Sequence, residues 1–214
     1  MNKVTKLTAG LALAACAVVS NGALADVSYN AAWASEYYYR GILQKDSSAS
    51  AGIDFTEGAF YAGAWTADVG DGLEVDGYGG FNFELAPDLT AKIGVTGYYY
   101  TGEFDDTYEE INLGLGYKML SLEYSTGEYE GFGTEQDYDF FAATLTHNGF
   151  YGKYGTFGDE FDGDYFEVGY GTSLADFDIT ISAIFNDENL SDQVDSSGAP
   201  DNGQAVVFTI KKVW

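Results

Sequence analysis

From position 27 to the last residue, apolar and polar side chains alternate with period two, and the pattern restarts after each short interruption. Over residues 177–185 one face carries Phe177, Ile179, Ile181, Ala183 and Phe185, while the other carries Asp178, Thr180, Ser182 and Ile184. Over residues 89–99, Leu89, Ala91, Ile93, Val95 and Tyr99 alternate with Thr90, Lys92, Gly94, Thr96 and Tyr98. A period of two belongs to β-strands, whose successive side chains point to opposite faces. The pattern predicts about twelve strands of about 9–12 residues, near the length of a strand that crosses a membrane. They are placed at 27–37, 48–57, 59–68, 73–85, 88–100, 107–117, 119–126, 137–146, 149–157, 164–173, 176–186 and 203–214.

The connections between these segments alternate in length. Short turns are expected near 57–58, 86–88, 117–119, 147–149 and 174–176, with Asn148-Gly149 a strong hairpin signal. Long connections are expected at 38–47, 69–72, 101–106, 127–136, 158–163 and 187–202, several of them rich in acids. Short turns at one end and long loops at the other is the pattern of an outer-membrane barrel. A soluble β-sandwich also alternates. Against it stand the acidic loops, the Gly-, Ser-, Thr- and Tyr-rich polar face, and the closing segment AVVFTIKKVW. There Val206, Phe208, Ile210 and the aromatic Trp214 resemble the signal by which bacterial assembly machinery recognises barrels. The expected fold is an all-β, antiparallel, up-and-down transmembrane barrel of about twelve strands, with short periplasmic turns and longer acidic extracellular loops.

Residues 1–25 stand apart from this pattern. Lys3 and Lys6 precede an apolar run over 7–19, and Ala23-Leu24-Ala25 is a small-x-small cleavage site. The expectation is a cleaved signal peptide at 1–25, export through the general secretion pathway, and a barrel domain over 26–214. Leu13-Ala14-Ala15-Cys16 also resembles a lipoprotein processing box, so lipidation at Cys16 is the alternative. With 34 acidic and 9 basic residues, the chain is a poor partner for nucleic acid. Its 18 tyrosines and 15 phenylalanines against 2 prolines argue against disorder.

Two aromatic runs, Tyr37-Tyr38-Tyr39 and Tyr98-Tyr99-Tyr100, fall at strand ends. Tyrosine favours the membrane interface, where its ring is buried and its hydroxyl is wet. The runs are expected to form one girdle, with Phe60, Tyr61, Phe83, Tyr117, Phe150 and Trp214 forming the other. Arg40 follows the first run. It is expected either to pair with loop acids or lipid phosphate, or to place a charge at the pore mouth.

The stretch ASEYYYRGILQKDSSASAGIDFTEGAFYAGAWTADVG resembles the opening of the TorF family of proteobacterial porins. Ser35, Tyr37, Arg40, Gly41 and Gln44 match its Ser-x-Tyr-x-x-Arg-Gly-x-x-Gln pattern. Gly52-Ile53-Asp54-Phe55 and Tyr61-Ala62-Gly63-Ala64-Trp65 match its next two strands. The resemblance implies an outer-membrane barrel with a channel role, and it supplies no substrate.

Enzymatic barrels form the rival class. Acyl chemistry needs a base beside a nucleophile, and the single histidine, His147, falls in a hairpin turn. The acid-rich segment 159–164 lacks calcium-loop spacing. No cofactor is expected. The polar faces of the strands carry Glu36, Asp54, Asp76, Glu84, Glu110, Glu123, Glu167 and Asp178 against Lys92, Lys153 and Lys211. A carboxylate-rich lumen favours cations; the same charges could instead pair and plug the barrel. Hairpin register sets Lys153 opposite Glu167 and Asp178 opposite Lys211. The expected function is passive passage of small hydrophilic solutes with a cation preference. A closed structural or surface-interaction barrel is the alternative, and a lipid-modifying enzyme is third. The expected partners are outer-membrane lipid and lipopolysaccharide, the barrel assembly machinery, and small solutes or cations.

Overall fold

A computed structural model describes residues 25–214. The proposed signal peptide and Cys16 lie outside the described residues, apart from Ala25. The alternating segments become twelve strands: β1 (Asp26–Tyr39), β2 (Ile42–Glu57), β3 (Phe60–Gly70), β4 (Gly72–Ala86), β5 (Leu89–Tyr100), β6 (Tyr108–Tyr117), β7 (Leu120–Tyr129), β8 (Gln136–His147), β9 (Phe150–Asp159), β10 (Asp164–Leu174), β11 (Phe177–Asn186) and β12 (Gly203–Val213). Each pairs antiparallel with its neighbours in sequence, and β12 returns to β1 to close the barrel. Closure removes the free edges that an open sheet would present to lipid.

Period two sorts the side chains. Ile93, Val95, Ile111, Leu113, Leu115, Phe166, Val168, Ile181, Phe185, Val206 and Phe208 point outward and are exposed. A contiguous apolar belt of this extent is a membrane-facing surface rather than a water-facing one. The inward face carries Asn30, Ser48, Asp76, Thr96, Glu110, Ser125, Lys153 and Ser182, all buried. Lys153 stands opposite Glu167 in the β9–β10 ladder, and Asp178 opposite Lys211 in β11–β12, so the predicted register holds in both hairpins.

The connections depart from expectation in two places. The stretch 38–47 is not a long loop. The β1–β2 ladder continues to Tyr39↔Ile42, leaving a two-residue turn at Arg40-Gly41. Likewise only Asp71 separates β3 from β4. The aromatic runs also differ. Tyr37 and Tyr98 are each 4% exposed and point into the barrel, and only Tyr99 of the second run faces outward. Phe60, Phe83, Tyr117, Phe150 and Trp214 are exposed at the short-turn end, while Tyr61 is buried inside.

A membrane barrel closed on itself by backbone ladders resists SDS until heated. Unboiled refolded protein is expected to migrate differently from boiled protein on SDS gels. Identical migration, with solubility in plain buffer, would contradict a membrane barrel.

Candidate functional site

The β1–β2 hairpin leaves the wall. The β1–β12 ladder runs from Asn30↔Val213 to Ala34↔Thr209 and stops, although β12 continues to Gly203 against β11. At the break, the Phe208 amide donates to Ser35 Oγ at 2.9 Å in place of a ladder bond. Three residues on, the β1–β2 register shifts between Tyr37 and Tyr38. A bulge bends its strand and re-aims the side chains beyond it. The tip therefore turns into the lumen. Arg40 and Gly41 have φ of 47° and 85°, the positive pair that a two-residue type I′ turn needs.

Inside, Arg40 meets acids from the far wall. Its guanidinium donates to Glu110 in a bidentate pair, Nη1 to Oε2 at 2.8 Å and Nη2 to Oε1 at 2.9 Å. Nη2 also donates to Ser125 Oγ at 3.0 Å and approaches Glu123 Oε1 at 3.3 Å. The Phe140 ring lies 4.2 Å from the guanidinium carbon, a cation–π distance. The Arg40 and Glu110 side chains are 7% and 0% exposed. Glu110 is also bonded without Arg40: Tyr98 OH donates at 2.7 Å, Tyr138 OH at 2.9 Å and Asn112 Nδ2 at 2.6 Å.

The rest of the tip completes a layer across the barrel. Tyr37 OH lies within 3.0 Å of both Glu74 oxygens, and Tyr39 OH donates to Tyr98 OH at 2.8 Å. Asn186 Nδ2 donates to the Gly41 carbonyl at 2.8 Å. Gly41 is required here twice over, by its φ and because a Cβ would stand 2.7 Å from the Tyr165 ring. The tip slots between unlike walls. On β4 to β7 it faces Glu74, Asp76, Glu110 and Glu123. On β8 to β12 it faces Phe140, Phe157, Ile184 and Val207, with Tyr38 and Ile42 packed against this apolar cluster.

Arg40 therefore neither pairs with loop acids nor stands free at a mouth; its partners are lumen acids. The long segment 187–202 does not fill the lumen, since residues 192–202 are exposed. It sits on the rim with Leu190 as its buried anchor. Asp195, exposed in that segment, is held below the usual carboxylate range by the Ser197 hydroxyl and then by the Ala199 and Ser197 amides.

The other named residues fall around this layer. Asp76 is buried beside Glu74, with Oδ1 lacking a hydrogen-bond partner, as does Oε2 of Glu36 near the break in the ladder. Toward the short turns, Asp54 accepts from Tyr78 OH at 2.6 Å and Asn30 Nδ2 at 3.2 Å. Lys92 Nζ lies 4.6 Å from the Tyr61 ring centre, Glu167 accepts from Tyr151 OH, and Asp178 accepts from Ser173 Oγ at 2.6 Å. Gly114, Gly116, Ser121, Thr144, Glu123 and Lys211 point inward there yet keep partial exposure, and Glu84 is exposed, so this half is accessible to solvent. His147 is exposed on its turn, 3.0 Å from the Asn148 side chain. Among the described residues no three His, Cys, Asp or Glu side chains converge on a metal position. The alternation pattern missed Tyr37, Tyr39, Tyr98, Tyr138, Ser125 and Phe140 as site residues. It also missed Glu74, two positions from Asp76 on the same face, where the period-two signal was available.

Removing Glu110 is expected to cost more than removing Arg40. In Glu110→Ala the guanidinium keeps Glu123 and Ser125, while Tyr98 and Tyr138 lose their acceptor; breaking a buried pair in this way costs about 3–5 kcal/mol. In Arg40→Met the buried carboxylate loses its counter-charge but keeps three donors, so the loss should lie at the lower end of that range, about 3 kcal/mol. Urea unfolding in micelles, followed by tryptophan fluorescence, measures both. The reverse order would show that Glu110 is not what holds the hairpin.

Solved structures share this architecture. A chain from a study of the in-meso crystallization of membrane proteins aligns with a TM-score of 0.56 at 9% identity, over 88% of this chain and 83% of that one. The NanC porin, in a rhombohedral crystal form, aligns with a TM-score of 0.50 at 12% identity, over 88% of this chain and 98% of its own. At such identities the likeness concerns the fold alone. No curated protein sequence matches the chain. Residues 20–202 match the profile of a bacterial protein family of unknown function, Gcw_chp, and the chain belongs to that family.

Proposed function

We propose that this barrel is an outer-membrane channel for small hydrophilic solutes, cation-preferring, and held closed by its own β1–β2 hairpin. The observation that carries the reading is the kind of closure. A purely structural barrel can fill its lumen with side chains from an intact wall. Here a hairpin detaches from β12, giving up ladder bonds, to place one cation among lumen acids. An element held by side-chain contacts around its tip, and free of the ladders of β12 beyond Ala34 and of β3 beyond Ser50, is one that can withdraw. The likeness in fold to the NanC porin and the resemblance of residues 34–70 to TorF-family porins point the same way. The acids Asp54, Glu84, Glu123, Glu167 and Asp178 outnumber Lys92, Lys153 and Lys211 on the inward face, which favours cations. In this reading the protein is exported through the general secretion pathway and inserted by the barrel assembly machinery, which reads Val206, Phe208, Ile210 and Trp214. It then sits among outer-membrane lipid and lipopolysaccharide.

The second reading, a closed structural barrel, is favoured by the hydrogen-bonded layer running from Glu74 to Asn186. Single-channel recording separates the two. Wild-type protein should open rarely. Gly41→Ala should open more often, by about tenfold for each 1.4 kcal/mol of lost closure. In a KCl gradient the reversal potential should favour K⁺, more so at low salt, where the Debye length exceeds about 10 Å. Glu123→Gln and Glu167→Gln should weaken that preference. A chloride preference would give control to Lys92, Lys153 and Lys211, and silence from folded Gly41→Ala would establish the closed barrel.

A further inference from the structure

We infer that the cleft filled by Arg40 is a binding site for organic cations, guanidinium or ammonium groups carried on an apolar or aromatic body, and that Arg40 is its tethered occupant. The transport consequence rests on the channel reading; the binding does not.

Each contact that Arg40 makes in the lumen is one that a free guanidinium can make. Glu110 offers a two-oxygen face, Ser125 Oγ a further acceptor, Glu123 a second carboxylate and Phe140 a ring face. The two-oxygen face matches the planar guanidinium fork best, and an ammonium can use the same carboxylates as a point charge. The cleft is also built without its occupant. Tyr98, Tyr138 and Asn112 all donate to Glu110 from the wall, so its carboxylate stays oriented when the hairpin leaves. The approach is graded. The Glu123 side chain is 32% exposed toward the solvent-accessible half of the lumen, whereas that of Glu110 is fully buried. A cation arriving from the short-turn end meets Glu123 first and Glu110 second. Lys153 is the cation to reckon with. Its Nζ lies 5.9 Å from the centre of the Phe140 ring that Arg40 also faces, and it interacts with Glu123. With Arg40 gone, the two carboxylates still outnumber it.

The cleft is amphipathic in the sense that an organic cation needs. Beside the carboxylates run Phe140, Phe157, Ile184 and Val207, now covered by Tyr38 and Ile42 of the same hairpin. A hydrated metal ion would gain nothing from that wall, whereas an alkyl or aromatic body would. The tip thus mimics a ligand at both ends, charge against acid and apolar groups against the apolar wall.

The test uses the refolded full chain in micelles, with n-butylguanidinium as probe and n-butylurea as its neutral isostere, read by titration calorimetry. Wild-type protein should bind butylguanidinium at least about tenfold more tightly than butylurea, because only the cation forms charge-assisted bonds. Arg40→Ala should bind it about tenfold more tightly again, since the internal competitor is gone. Arg40→Ala/Glu110→Gln should lose the preference. If Arg40→Ala does not refold, Gly41→Ala displaces the same tip and should show the same gain. Equal binding of cation and urea by wild type and by whichever variant folds would overturn the site. Binding by the variants with none by wild type at a thousandfold higher concentration would also overturn it, because Arg40 would then be a fixed structural contact. Butylguanidinium binding without its uptake into proteoliposomes would keep the site and remove the channel reading.

Discussion

A guanidinium held inside a membrane barrel needs a carboxylate that is itself fully bonded, and the Arg40–Glu110 pair meets that condition. Glu110 accepts five hydrogen bonds, two from Arg40 and one each from Tyr98, Tyr138 and Asn112. Desolvating two charges costs several kcal/mol per ion, so the pair on its own would contribute little to stability. What it does is choose a position. With Arg40 fixed there, the tip must lie across the lumen and the bulge at Tyr37/Tyr38 must bend β1. The phenol of Tyr37 must then find Glu74 rather than water. A neutral residue at position 40 would leave the tip held only by the packing of Tyr38 and Ile42 and by the hydrogen bonds of Tyr37, Tyr39 and Gly41.

The same choice sets the weakness at the wall. In hydrocarbon an unpaired strand edge is not tolerated unless protein or water covers it. Above Thr209 the β12 edge has lost β1 from its ladder. Ser35 caps the Phe208 amide, the packing of Tyr38, Ile42 and Leu190 against Val207 and Ile184 fills the space behind, and the 187–202 segment rests on the rim. The hairpin is thus both the occupant of the lumen and part of the cover for the edge that its departure exposed. Any motion that empties the lumen must re-cover that edge, which couples opening to the β1–β12 contact.

Much of this fold was legible in the residues. Strand number, the facing of most side chains and two cross-strand pairs follow from period-two alternation, because a membrane on one side and a mostly polar lumen on the other enforce it over most of each strand. The site was legible only in pieces. Glu110 and Glu123 were identifiable as inward acids, but nothing local says that a hairpin tip will lean inward rather than out. Three consecutive tyrosines suit an interface, where ring and hydroxyl are both satisfied. They suit equally a packed lumen with carboxylates to receive the hydroxyls, and the ring-plus-hydroxyl chemistry is the same in both. The bulge also erases the alternation that would have shown which tyrosines turn inward. Glu74 differs: its face was deducible from Asp76 two residues away.

Twelve strands make a barrel between the small ones that side chains alone can fill and the wide ones that stay open. At this width, wall side chains reach part of the way, and a middle element is needed to close the gap. A two-residue turn is the smallest such element, and an arginine lets it bond to both β6 and β7 at once. The wall opposite presents Phe140, Phe157, Ile184 and Val207, with Asn186 bonded to Gly41, so the tip is held by charge on one side and mainly by packing on the other. These two holds respond to different agents. Salt, or a competing cation, acts on the first, and an apolar body acts on the second. A molecule carrying both features would act on the two together, whereas a simple metal ion would leave the packing intact.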